Sequence, residues 1–164
     1  MSADPVSESA HEHARVLEVL SAYLSAIDRR DWPAVVGCFA DDAQSRYEGA
    51  AGTLIGGAQV AQFVQAATVS TPSTVHNLAN THISTEDVGT VRATSFAIVH
   101  ALRPADGILA TRAIRYDDTL RHVHGRWFIT ARAHRALWQI EQATVPPQLI
   151  LDALRFPLLP DKRS

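Results

Sequence analysis

At Val75 the chain changes its hydrophobic period, and that change limits the folds open to it. Upstream, apolar residues recur at three- and four-residue spacing. Downstream they alternate, with breaks at Glu86-Asp87, Pro104 to Gly107 and His124-Gly125. Those breaks carry turn chemistry, so the pattern predicts four long strands over about 75–85, 89–102, 107–122 and 126–138. Long consecutive strands joined by tight turns form an antiparallel meander. Such a sheet must bury one face, and the upstream helices are the available cover, which makes an α+β arrangement. Helices covering a bent sheet leave a closed pocket between the layers.

The first helix is expected over 10–29, with Leu17, Leu20, Leu24 and Ile27 in one stripe. Asp28 follows Leu24 by four residues, so its carboxylate points inward. Asp31 suits the N-cap of a second helix over 32–40, with Pro33 near its start, where a missing N–H costs nothing. Val35, Val36 and Phe39 form its buried side, and Asp41 and Asp42 end it. Two short strands over 44–48 and 53–55 precede a third helix after Gly56-Gly57, with Val60, Phe63, Val64 and Ala67 inward. Residues 1–9 are polar and read as disordered. The domain spans 10–140. The remainder, 141–164, is a C-terminal extension with Pro146-Pro147 and an apolar piece (Leu149, Ile150, Leu151, Leu154) suited to one short helix on the domain or a neighbouring subunit.

Composition narrows the function classes. With 164 residues, 46% of them apolar, the chain can bury the core of one domain. Its formal charge is −2 and it has no basic run, which argues against nucleic acid as a partner. No apolar run reaches the ~18–20 residues that cross a bilayer, and the polar N-terminus lacks the pattern of a signal peptide. The single cysteine, Cys38, lies on an apolar helix side and fits a reducing cytoplasm. His11-x-His13 and His122-x-His124 have metal-compatible spacing but no third ligand, so no metal is expected. The chain carries neither a phosphate-binding Gly-rich loop after a strand nor a Gly-x-Ser-x-Gly elbow.

Alternation then selects the residues that share the pocket. The expected inward sets are His76, Leu78 and Asn80; Phe96, Ile98, His100 and Leu102; and Ile114, Tyr116, Asp118 and Leu120. Polar groups among large apolar ones are the informative members. They form the candidate set Asp28, Tyr47, His76, His100, Tyr116 and Asp118, with Asn80, Phe96, Ile98, Ile114 and Trp32 as further lining. Arg132 suits either a substrate anchor or an ion-pair partner.

The segments AIDRRDW leading to CFADDA, TVHNLAN, and GRWFITAR resemble, in this order and spacing, the SnoaL-like group of the NTF2-like superfamily over residues 12–138. That group includes scytalone dehydratase, a hexachlorocyclohexane dehydrochlorinase and small polyketide cyclases. The resemblance implies a cone of curved antiparallel sheet wrapped by three N-terminal helices, with no cofactor. Asp28 matches the family's helix aspartate and His76 its strand histidine, a pair that removes a proton beside a leaving group. His100 and Tyr47 fall where dehydratase-like members have a second histidine and a tyrosine. Ile27 replaces a tyrosine and Ile114 a small polar residue, which argues against that dehydratase's own substrate. The resemblance also implies a homodimer or homotrimer through the outer sheet face, here expected to carry Ala93, Ala97, Val99 and Ala101.

Imidazole accepts and returns protons near neutrality. A buried carboxylate fixes its tautomer, and a neutral His100 or Tyr47 would donate to a developing oxyanion. Expected, therefore, is a cofactor-free lyase, isomerase or cyclase on a small polyketide-like metabolite. Epoxide opening and simple ligand binding are the alternatives on the same fold.

Overall fold

The computed structural model describes residues 5–144, with side chains from Ala10 onward; the expected C-terminal helix and most of the extension lie outside the described residues. Three helices and six strands follow in the order α1 (Pro5–Asp28), α2 (Trp32–Val36), β1 (Phe39–Tyr47), β2 (Leu54–Ile55), α3 (Gly56–Ala67), β3 (Ser73–Asp87), β4 (Thr90–Arg103), β5 (Ile108–Val123) and β6 (Arg126–Ala143). The strands form one sheet in the order β2-β1-β6-β5-β4-β3. The antiparallel meander β3–β6 is present as expected, and β1 joins it by pairing parallel to β6. No described helix is long and apolar enough to cross a membrane.

Helix α1 begins at Pro5, within the stretch expected to be disordered. Its buried stripe is Val16, Leu20, Tyr23, Leu24 and Ile27, whereas Leu17 is 37% exposed. The helix stops in a Schellman arrangement: Asp31 N–H donates to Ala26 O and Arg30 N–H to Ile27 O, with Arg30 at φ 59°. Asp31 caps α2 by accepting from Ala34 N–H at 3.1 Å. Helix α2 has five residues and ends four before the expected Ala40. Phe39 already opens β1, which carries Asp41 and Asp42 as exposed strand residues. Phe39, Ala43, Ser45 and Tyr47 are buried in it, and Phe39 pairs with Ile129. Sheet pairing with β6 thus overrides the local helical spacing.

Gly56 and Gly57 set α3 tightly against the preceding elements. A Cβ on Gly57 would stand 2.4 Å from Val36 O, and one on Gly56, at φ +70°, 2.6 Å from Asp41 O. These glycines serve close packing.

The faces of β4 are the reverse of the expected ones. Val91, Ala93, Ser95, Ala97 and Val99 are buried toward the helices, while Phe96, Ile98, His100 and Leu102 lie on the opposite face and are partly exposed. Small β4 side chains leave room on the inner face for the large stripe of α1, Leu20, Tyr23, Leu24 and Ile27, in the same core. Ala93, Ala97, Val99 and Ala101 therefore do not form the outer face. That face carries Val75, Trp138 and Ile140, each about half exposed, beside Phe96 and Ile98.

Candidate functional site

A cavity of about 260 Å³ lies between the sheet and the helices. Tyr23 and Ile27 of α1, Tyr47 of β1, Phe63 of α3, Thr74 and His76 of β3, Ile114 and Tyr116 of β5, and His134 of β6 line it. A wider open groove of about 740 Å³ runs outside, between α1 and the β5–β6 turn, past Cys38, His122 and Trp127. Polar groups converge in the inner cavity, which makes it the candidate site.

Asp28 ends α1 at the cavity wall, where the Schellman turn holds it. Its Oδ1 accepts from His76 Nδ1 at 2.6 Å and from Thr74 Oγ1–H at 2.8 Å, and its Oδ2 accepts from the His76 backbone N–H at 2.9 Å. One carboxylate thus binds both the backbone and the ring of one residue. With Nδ1–H given to Asp28, the lone pair of His76 sits on Nε2. The His76 side chain is only 7% exposed. Burial pushes its pKa below the ordinary histidine value, against the hydrogen bond and charge of Asp28, which raise it. His76 is therefore a neutral base at pH 7.

Tyr47 lies on the other side of the cavity. Its hydroxyl is 2.9 Å from that of Tyr23, and burial raises the pKa of both phenols, so both remain neutral donors. Tyr23 lies one helical turn before Ile27, on the same face, and adds a phenol to the cavity wall. Sequence reasoning missed it because Leu17, rather than Val16, set the phase of the stripe.

Several expected lining residues are elsewhere. His100 faces the outer side of β4, where Nδ1 is 3.0 Å from Thr111 Oγ1. Phe96 and Ile98 share that face, by the phase reversal of β4. Asn80 is exposed because a bulge between Leu78 and Thr81 inserts one residue and turns it outward. Trp32 packs against the core without lining the cavity. Asp118 and Arg132 lie beneath the cavity floor, with side chains 0% and 1% exposed. They form a bidentate pair, Nε to Oδ1 at 2.7 Å and Nη2 to Oδ2 at 2.8 Å. Arg132 is thus an ion-pair partner, its guanidinium 4.2 Å from the ring centre of Tyr23 and 4.5 Å from that of Tyr116. Ile114 and Tyr116 do line the cavity, as does His134, which alternation on β6 from Arg132 would have located. Among the described residues no three His, Cys, Asp or Glu side chains converge as metal ligands.

A mixed curved sheet, closed by three helices over a cavity with an aspartate–histidine pair at its wall, defines an NTF2-like α+β domain. The chain belongs to the SnoaL-like domain family, whose model matches residues 8–133. Among solved structures, a putative scytalone dehydratase from Novosphingobium aromaticivorans aligns with TM-score 0.75 at 14% identity, over 85% of this chain and 93% of that one. The hexachlorocyclohexane dehydrochlorinase LinA-type3 from Novosphingobium barchaimii aligns with TM-score 0.76 at 17% identity, over 85% and 97%. A putative aromatic ring hydroxylase from Novosphingobium aromaticivorans aligns with TM-score 0.71 at 20% identity, over 81% and 94%. At these identities the likeness is one of fold. Comparison with curated proteins gives no match.

Proposed function

We propose that the protein is a cofactor-independent lyase, isomerase or cyclase in which Asp28 and His76 act as a general-base pair on a small, largely apolar metabolite bearing a carbonyl. The observation that carries this reading is the three-bond seat of Asp28, which leaves His76 Nε2 as the free lone pair at the cavity wall. Proton abstraction beside a carbonyl, followed by elimination, isomerisation or ring closure, needs such a base and a donor for the oxygen. Tyr47 serves as the donor, with Tyr116 and Ile114 lining the substrate. Polyketide-type ketones are the first substrate class to try, given the family.

Epoxide opening by an activated water is less well supported. That chemistry holds one water among several acceptors, yet Asp118 is bound to Arg132 and Asn80 is exposed, which leaves Asp28 alone. We further infer a homodimer or homotrimer through the outer sheet face, where Trp138, Ile140 and Val75 expose apolar surface.

The test is hydrogen–deuterium exchange at the acidic carbons of a panel of bicyclic ketones, followed by NMR at pH 7. Wild type is expected to accelerate exchange for at least one ketone, and Asp28→Asn and His76→Gln to abolish the acceleration. Equal rates with wild type and with both variants across the panel would sink the base-pair reading.

A further inference from the structure

His134 is the cavity histidine that the reaction above does not yet use. Its ring stacks on Tyr47 with centres 5.0 Å apart and planes 19° from parallel, and it meets Tyr116 edge-on at 5.4 Å. Two aromatic rings therefore fix its orientation. Its Nδ1 is buried with no hydrogen-bond partner, and the ring lies between the cavity and an open groove past Glu48, Arg112 and Gln139. A buried donor without a partner costs more than a buried acceptor without one. That difference favours the tautomer with the lone pair on Nδ1 and the hydrogen on Nε2.

The surroundings hold this ring neutral. Burial comes first, then the Arg132 guanidinium, with Arg112 adding to it and with Glu48 and the residue's own backbone opposing; together they bring the pKa to about 4. Tyr47 and Tyr116 complete its neighbours, and neither carries charge at neutral pH. A neutral imidazole is a poor proton shuttle at pH 7 but a good fixed donor to an oxyanion. His134 on β6 is separated from His76 on β3 by β5 and β4 and by four residues along β4, because His134 aligns through Tyr116 with Ser95 whereas His76 aligns with Val99. Both histidines line the one cavity, so a substrate seated in it meets both rings.

We propose that His134 is a second catalytic residue of this cavity: its Nε2–H, together with the Tyr47 hydroxyl, donates to the substrate's carbonyl oxygen while His76 removes the neighbouring proton. The C–H bond breaks, its proton passes to His76 Nε2, and its electron pair moves into the enolate, whose oxygen charge these donors hold. The inference rests on the base-pair reading for its chemistry, but its donor claim is testable without turnover.

The probe is 2-naphthol, whose anion mimics a planar enolate, with naphthalene as the uncharged control. Wild type is expected to bind the naphtholate in preference to naphthalene. His134→Phe should weaken naphtholate binding about tenfold or more, the loss of one charged hydrogen bond, and leave naphthalene binding unchanged. His134→Gln, which keeps a donor, should recover most of it. In wild type, ¹⁵N NMR should show His134 as the neutral Nε2–H tautomer from pH 5.5 to 8. Equal losses for both probes, no loss, no naphtholate binding by wild type, or an imidazolium at pH 7 would each overturn the proposal. Asp28→Asn should leave the naphtholate preference intact, so a failure of the base pair and a failure of the donor are read separately.

Discussion

Asp28 holds His76 twice: its Oδ1 takes the ring Nδ1–H at 2.6 Å while its Oδ2 takes the backbone N–H of the same residue at 2.9 Å. The imidazole is thereby fixed in both position and tautomer by the last residue of α1. Thr74, two residues earlier on β3, adds a third bond. Helix end and strand are thus joined at one carboxylate.

Asp28→Asn should lower the pKa of His76 further, because the carboxylate is the group that raises it against burial. In NMR titrations, His76 of wild type is expected to titrate below 6.5 and His76 of the variant lower still. Any base-catalysed proton exchange should fall by about a thousandfold or more, as when a base loses its orienting carboxylate. An unchanged titration would show that the pair does not exist in solution.

The buried pair beneath the cavity makes a different prediction. Arg132→Met strands the Asp118 carboxylate at 0% exposure and should destabilise the fold by about 3–5 kcal/mol in urea unfolding. Arg132→Met combined with Asp118→Leu should recover much of that loss, since an apolar pair of similar volume avoids the uncompensated charge. Equal stability of wild type and Arg132→Met would contradict the ion-pair assignment.

Gly57→Ala should lower stability by about 1–3 kcal/mol, because its Cβ would press on backbone, 2.4 Å from Val36 O. Gly52→Ala, where nothing lies within 4 Å, is the control and should stay within about 0.5 kcal/mol. Thermal melts of the two variants give the comparison.

Stability should fall as the pH drops below about 6.5. His76 and His134 both have folded pKa values below those of the unfolded chain, so the unfolded state binds protons first. Their contribution is present above pH 6.5 and is lost as pH falls, for His134 down to about 4, at up to about 1.4 kcal/mol per pH unit for each histidine. In His134→Phe, the slope of unfolding free energy against pH should shrink over that window. An unchanged slope would mean that His134 is not held neutral.

If the outer face joins copies of the chain, Trp138→Glu should leave a folded monomer in size-exclusion chromatography with light scattering. The side chain is 49% exposed, so the charge costs the lone domain little. A wild-type monomer at high concentration would remove the basis for the assembly.

The architecture was largely written in local pattern. Period-two alternation with turn residues between the runs located β3 to β6 to within a few residues at most ends, because long strands and tight turns are specified by neighbours in the chain. Asp28, Asp31 and His76 were legible for the same reason: a carboxylate on an apolar helix stripe, a cap before Pro33, and a histidine among inward residues are local facts. Phase was harder. Both faces of β4 are apolar, and only packing against the large side chains of α1 decided that Ala93, Ser95 and Ala97 turn inward and His100 outward. One inserted residue before Thr81 moved Asn80 out of the cavity, and sequence alternation carries no mark of a bulge. Whether Arg132 met a substrate or Asp118, and whether Tyr23 and His134 met Tyr47, depended on contacts between residues distant in the chain. The sequence by itself determined the four long strands and their order, since these follow from periodicity and turn spacing, while the pairing of Asp28 with His76 was implied by the family resemblance. Only the tertiary structure decided which other polar groups share the cavity, because that depends on strand register and on the volume each layer leaves for the next.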